Sequence, residues 1–403
     1  MLPYDFDPRV GGGARPPTDH RRRRARRLRR VWPAVVCLVA LLTAGVAANS
    51  AVAATKAPIW GVPWTWTPSW WPKPPTQPVG TPSTPSGPGT TPTPTPPPSS
   101  TPGQLPGTVL SDTFTNSGGS LVYLGYVPSS YKPGTPMPLV VALHGCTQSA
   151  GDFRQLTRWD QLAEAKGFIV VFPQQSKDDN SMKCWNFFQQ NHMKRGTGEP
   201  EVIAGITRSL QQHYTVDPHR IYVNGLSAGG AMASVMAATY PDIFAAAGIG
   251  SGCEYAATAA CAGYKSADPA TAGSQAYQAM GQYARQMPVI LFEGDQDTTV
   301  PPVNAQQLVQ QWQVTNDYAD TGGKDGSIPV QPTGVTRGTA PGGHAYTVTT
   351  YGDKDRKELI QSWLVSGMGH AWSGGCSCKQ YADPAGPDET GAMYAFFMAH
   401  PMP

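Results

Sequence analysis

Outside its first thirty residues this chain has no surplus of positive charge. Ten arginines against three aspartates in residues 1–30 account for more than the whole net +3, so the remainder carries −4. A basic face for a nucleic-acid backbone is therefore not expected on the main body. Long apolar runs are scarce as well. The one candidate, residues 31–48, is interrupted by Pro33 and Gly45 and lies at the short end for a membrane span. Histidine is missing at zinc-ligand spacing beside Cys376 and Cys378, which argues against a metal there. No metal or cofactor is expected elsewhere. Residues 76–106 are Thr, Pro, Ser and Gly with almost nothing apolar to bury, so they read as an extended tether.

What the N-terminal region does have is an address. The arginine-rich run 21–30 precedes the apolar stretch, and Ala51-Val52-Ala53 offers an A-x-A cleavage site. Residues 1–54 are thus expected to be a signal peptide for secretion by the general or the twin-arginine route. A retained anchor with the remaining domain outside the cell is the alternative. Residues 55–107 form a linker whose first part holds Trp60, Trp64, Trp66, Trp70 and Trp71 among closely spaced prolines. Such a strip is neither helix nor central strand. It reads as a stub that packs on nothing, or as an aromatic strip that stacks on sugar rings or an insoluble polymer. With Cys37 inside the leader, six cysteines remain: Cys146, Cys184, Cys253, Cys261, Cys376 and Cys378. An even number in an exported chain suggests disulfides. Cys376 and Cys378 are not expected to pair with each other, since one intervening residue strains the bridge.

Residues 108–403 alternate strand and helix patterns, and form one domain. Uniformly apolar runs at 138–143 and 168–173 read as buried parallel strands, with 121–127, 245–249, 288–292 and 359–365 as further strands. Helices are expected at 152–166, 199–214, near 273–286, at 303–313 and at 388–399. That alternation predicts an α/β fold, a mostly parallel sheet with helices on both faces. In such sheets the chemistry sits at the carboxyl ends of the strands.

One such end is distinctive. The run Arg220 to Asn224 leads into Gly225-Leu226-Ser227-Ala228-Gly229, and an Ala/Met-rich helical pattern follows. This is the strand, sharp turn and helix of a nucleophile elbow, with glycines where strand and helix leave no room for Cβ atoms. A serine hydroxyl needs a base and an oriented acid, in the chain order Ser, Asp or Glu, His. After the 288–292 strand, Asp295 and Asp297 compete for the acid. After the 359–365 strand, His370 stands between small residues where the base belongs. Oxyanion donors are expected from the N–H of Ala228 and, on the loop after an early strand, from that of Cys146.

Four separated segments then carry a resemblance: Leu143-His144-Gly145-Cys146-Thr147-Gln148, Cys184-Trp185-Asn186-Phe187, the elbow with Gly230-Ala231-Met232, and Gly367-Met368-Gly369-His370-Ala371-Trp372. Over about residues 120–400 the chain resembles poly(3-hydroxybutyrate) depolymerase-type esterases, secreted α/β-hydrolases related to feruloyl and acetyl-xylan esterases. The resemblance implies a triad of Ser227, Asp297 and His370, and oxyanion donation by Cys146 and Ala228. It further implies a Cys146–Cys184 disulfide, a cleft lined by Trp185, and sugar contacts at Trp185 and Trp372 on a polysaccharide substrate. Cys376-Ser377-Cys378 departs from the family pattern, and Cys253 and Cys261 are expected to clamp this histidine-side loop to the elbow's neighbouring strand. Residues 320–343 find no match in it. The expectation is a monomeric secreted serine ester hydrolase acting on poly(3-hydroxybutyrate)-type polyester or its oligomers. An acetyl-xylan or feruloyl esterase is the alternative, and a non-catalytic polymer-binding surface protein the remote one.

Overall fold

The computed structural model describes residues 105–257, 261 and 268–403. The expected leader, the tryptophan strip and nearly all of the tether lie outside the described residues. The first strand, β1 (Thr108–Asn116), pairs with β2 (Gly119–Val127) across a tight turn. Then follow β3 (Met137–Leu143), helices α1 (Ala150–Thr157) and α2 (Trp159–Lys166), β4 (Ile169–Gln174), α3 (Gly198–His213), β5 (Val216–Leu226), α4 (Ala228–Thr239) and β6 (Ala246–Gly250). The second half holds α5 (Pro269–Met280), β7 (Val289–Gly294), α6 (Val303–Thr321), β8 (Gly334–Thr339), β9 (Ala345–Gly352), β10 (Glu358–Val365) and α7 (Glu389–Ala399).

The strands make one ten-stranded sheet in the order β1-β2-β4-β3-β5-β6-β7-β10-β9-β8. From β4 to β10 the neighbours are parallel, and antiparallel pairs close both edges. Period-two alternation splits the buried strands between two cores. Leu139, Val141 and Leu143 join α3, α4, α5 and α6 on one face. Val140 and Ala142 join α1, α2 and α7 on the other. This is the mostly parallel α/β-hydrolase sheet, covered on both faces.

The structure differs from the sequence reading in four places. The single helix at 152–166 is two, because Arg158 adopts φ 56° and turns the chain. That turn drives Trp159 wholly into the core, where its indole N–H reaches Asn224 Oδ1 at 3.1 Å. Helix α6 runs on to Thr321, stopped by Gly322 at φ 82°. Residues 320–343, for which no strand was expected, contain β8, which pairs with β9 and extends the sheet beyond β10. Finally, Cys376 does pair with Cys378, and Cys253 with Cys261, so the expected clamp between these two regions does not exist.

The Cys376–Cys378 bridge is accommodated by a surface turn. Lys379 N–H returns to Cys376 O at 3.1 Å, and the two cysteine Cα atoms stand 5.1 Å apart, an ordinary bridging distance. The turn is fixed to α1 by Cys376 N–H on Leu156 O and by Lys379 Nζ on Asp152. Among the described residues no helix is long and apolar enough to cross a membrane.

Candidate active site

Ser227 stands between β5 and α4, in the middle of the sheet. Its backbone is held at φ 59°, ψ −123°, in the left-handed half of conformational space where side chains are strained. What holds it is close packing. A Cβ on Gly225 would run into Gly229, and one on Gly229 into the Leu143 carbonyl. The Ser227 N–H donates to Gly250 O at 2.8 Å, tying the turn to β6.

The two aspartates after β7 separate cleanly. Asp297 is 3% exposed, and its Oδ2 accepts from His370 Nδ1 at 2.6 Å. Its Oδ1 accepts the N–H groups of Thr299 and Val300, each at 2.8 Å. Burial opposes its charge, but the His370 ring and these N–H groups outweigh burial and hold the carboxyl below the usual range. Asp295 instead braces the histidine loop: its Oδ1 accepts Gly367 N–H at 2.7 Å, and its own N–H donates to Val365 O at 3.0 Å. Gly294 lets the two loops touch, since a Cβ there would strike the Met368 carbonyl.

The loop after β3 carries Cys146, and the Cys146–Cys184 bridge expected from the resemblance is present. It closes a separation of 38 residues, which in the chain-entropy model stabilises the fold by about 4 kcal/mol. A buried network below fixes the same loop. His144 is fully buried; its Nε2 accepts from Gln175 N–H at 3.0 Å, so Nδ1 carries the hydrogen and donates to Gly145 O at 2.8 Å. Burial pushes this imidazole down to about 4, which keeps it neutral. Gln175 and Asn186 both donate to the buried carboxylate of Glu199, pinning the Cys184–Asn186 segment. Ala228 opens α4, where its N–H has no carbonyl within the helix to meet.

Ser227, His370, Cys146 and Ala228 all line one cavity of about 290 Å³. Phe187, Phe188, Leu226, Val300 and Tyr381 give it apolar wall, and among the described residues no Lys, Arg, Asp or Glu lines it. The two tryptophans expected at the cleft are not there. Trp185 is fully buried beneath the loop after β3, with its indole N–H on His144 O at 2.9 Å. Trp372 is fully buried against Phe153, with its indole N–H on Thr390 Oγ1 at 2.9 Å. The sequence reading missed Phe188 and Tyr381. Phe188 directly follows a quoted segment and was within reach of it. Tyr381 gave no signal, because it meets the His370 ring only after the chain beyond Trp372 loops back, with Tyr381 at φ 63°.

A family model described as Esterase PHB depolymerase matches residues 121–330. Poly(3-hydroxyalkanoate) depolymerase C of Paucimonas lemoignei is 36% identical over 265 residues, covering 64% of this chain and 60% of that protein. Acetylxylan esterase A of Talaromyces purpureogenus is 34% identical over 213 residues, covering 49% and 54% respectively. The chain thus spans somewhat over half the length of these curated relatives. Among solved structures, an acetyl xylan esterase from Aspergillus awamori matches with a TM-score of 0.58 at 23% identity, over 73% of this chain and all of that one. That likeness is one of fold.

Proposed function

We propose that this chain, which belongs to the PHB depolymerase family of esterases, is a serine carboxylic-ester hydrolase using Ser227, His370 and Asp297. The observation that carries the reading is the 2.6 Å contact of His370 with a buried, ionised Asp297, on the wall of the cavity that Ser227 also lines. Ser227 Oγ attacks the ester carbonyl while His370 takes its proton, and the same proton is returned to the departing alcohol. Asp297 holds Nδ1–H and balances the imidazolium. The N–H groups of Cys146 and Ala228 receive the oxyanion, each worth about a hundredfold in rate. Water then repeats the sequence on the acyl-enzyme and releases the acid.

The substrate we assign is a poly(3-hydroxybutyrate)-type polyester or its oligomers. An apolar wall in which no described side chain is an acid, lysine or arginine suits a short neutral aliphatic acyl unit. A relative named as a poly(3-hydroxyalkanoate) depolymerase supports the same choice. Export follows from the arginine-rich leader, and three disulfides fit an oxidising compartment. The same reading has the tryptophan strip touching the polymer and the enzyme working as a monomer.

The test measures acid release from hydroxybutyrate polymer and from acetylated or feruloylated xylan, with Ser227→Ala as the blank. We expect 3-hydroxybutyrate release that disappears in the variant. Turnover that persists in Ser227→Ala would sink the mechanism. Release of acetate or ferulate alone would move the substrate to plant polysaccharide.

A further inference from the structure

Glu293 ends the apolar run of β7, four residues before Asp297, and no step above uses it. It is 1% exposed. Its Oε1 accepts from Gly294 N–H at 3.1 Å and from Ser251 Oγ at 3.4 Å, and its carboxyl is hydrogen-bonded to that of Asp297. Among the described residues no Lys or Arg acts on it. The other ionisable groups nearby are already engaged: Asp295 on Gly367 N–H, His370 on Asp297, and Tyr381 against the His370 ring. Just past β6, the Ser251 hydroxyl reaches it.

Two adjoining buried carboxyls without a cation between them cannot both ionise. The charge belongs on Asp297, which has two N–H groups and the His370 ring, whereas Glu293 has one N–H and a long hydroxyl contact. Burial and the Asp297 charge accordingly push Glu293 well above the ordinary carboxyl range. A carboxylate offers about four lone-pair sites. Thr299, Val300 and His370 occupy three on Asp297.

We propose that Glu293 is a positioning residue, a neutral carboxylic acid whose O–H fills the fourth site on Asp297 and limits how strongly Asp297 draws the His370 proton. This rests on the triad reading given above. No proton is transferred: the Glu293 hydrogen stays on Glu293 through the cycle.

Glu293→Gln keeps the volume and a donor while forbidding a charge. Glu293→Leu removes the donor. Two measurements serve: kcat/KM against pH on p-nitrophenyl butyrate, and the pH midpoint of the His370 ring followed by NMR, which needs no turnover. In Glu293→Gln both stay where the wild type has them. In Glu293→Leu both move to higher pH by about one unit, the size of one hydrogen bond to a charged group. A move to lower pH in Glu293→Gln means that an anion was removed, and overturns the proposal whether or not the leucine variant folds. An unmoved midpoint in a folded Glu293→Leu overturns it as well. If the wild type neither turns over ester nor labels at Ser227 with a fluorophosphonate, it is the triad reading that fails, and the NMR midpoints still decide the role of Glu293.

Discussion

Acid should weaken this fold through His144. The ring is fully buried, and both of its nitrogens are engaged with backbone groups, so only the neutral form fits. Free in the unfolded chain the imidazole binds its proton near pH 6.5, while in the folded protein burial lowers that to about 4. Between those values the unfolded chain holds the proton and the folded chain does not, so stability falls as the pH falls. Above 6.5 neither state holds it, and below about 4 both do, so the effect is confined to that window. A difference of roughly 2.5 units at 1.36 kcal/mol each is about 3 kcal/mol, a large share of the stability of an ordinary domain. Urea unfolding with disulfides intact, at several pH values from 7 to 4, measures it. Other groups also titrate in this range, so the comparison is with His144→Gln, whose amide oxygen still accepts Gln175 N–H but cannot gain a proton. The wild type should lose about 3 kcal/mol more than the variant across the window, with unchanged m-values. Equal losses in the two proteins would refute the reasoning.

Two further substitutions test the site's frame. Gly229→Ala places a methyl against the Leu143 carbonyl, where only backbone can yield, so it should cost about 3 kcal/mol or more and be read as a lowered urea midpoint. Asp295→Ala should lower kcat about tenfold at most, by loosening the Gly367 turn, whereas Asp297→Ala should lower it roughly ten-thousandfold. Equal losses in steady-state assays would mean that the two aspartates have been assigned wrongly.

The parts of the site that were legible in the sequence are those whose chemistry forces a local pattern. A serine at φ 59° between strand and helix requires glycines two residues on either side, and these are visible as letters. His370 was legible because chain order and small neighbours mark it. Asp297 was only half legible. From spacing alone Asp295 was equally good, and what separates them is that one carboxylate points at a ring and the other at a backbone N–H two residues after β10. The edge strands were invisible for a different reason. In β8 most residues are exposed, and Gly334, Thr336, Gly338 and Thr339 give no apolar alternation to detect. The Cys376–Cys378 pair was misread because loop spacing was judged without the turn that closes it.

The tryptophans show why aromatic residues beside catalytic motifs were misplaced. An indole is large, rigid and apolar with one donor, and buried it can brace a loop while surrendering nothing to solvent. Three of them do this here. Trp185 gives its N–H to His144 O under the loop after β3, Trp159 gives its N–H to Asn224 on the strand before Ser227, and Trp372, two residues past His370, gives its N–H to Thr390. Trp372 thus lies two residues from His370 and Trp185 beside the bridged Cys184, yet both rings are fully buried. The aromatic part of the cavity wall comes from Phe187 and Phe188, just after Trp185 in the chain, and from the exposed Tyr381, beyond Trp372. Within one short segment, then, the turn of the backbone decides which ring is buried to brace the loop and which ring lines the cavity.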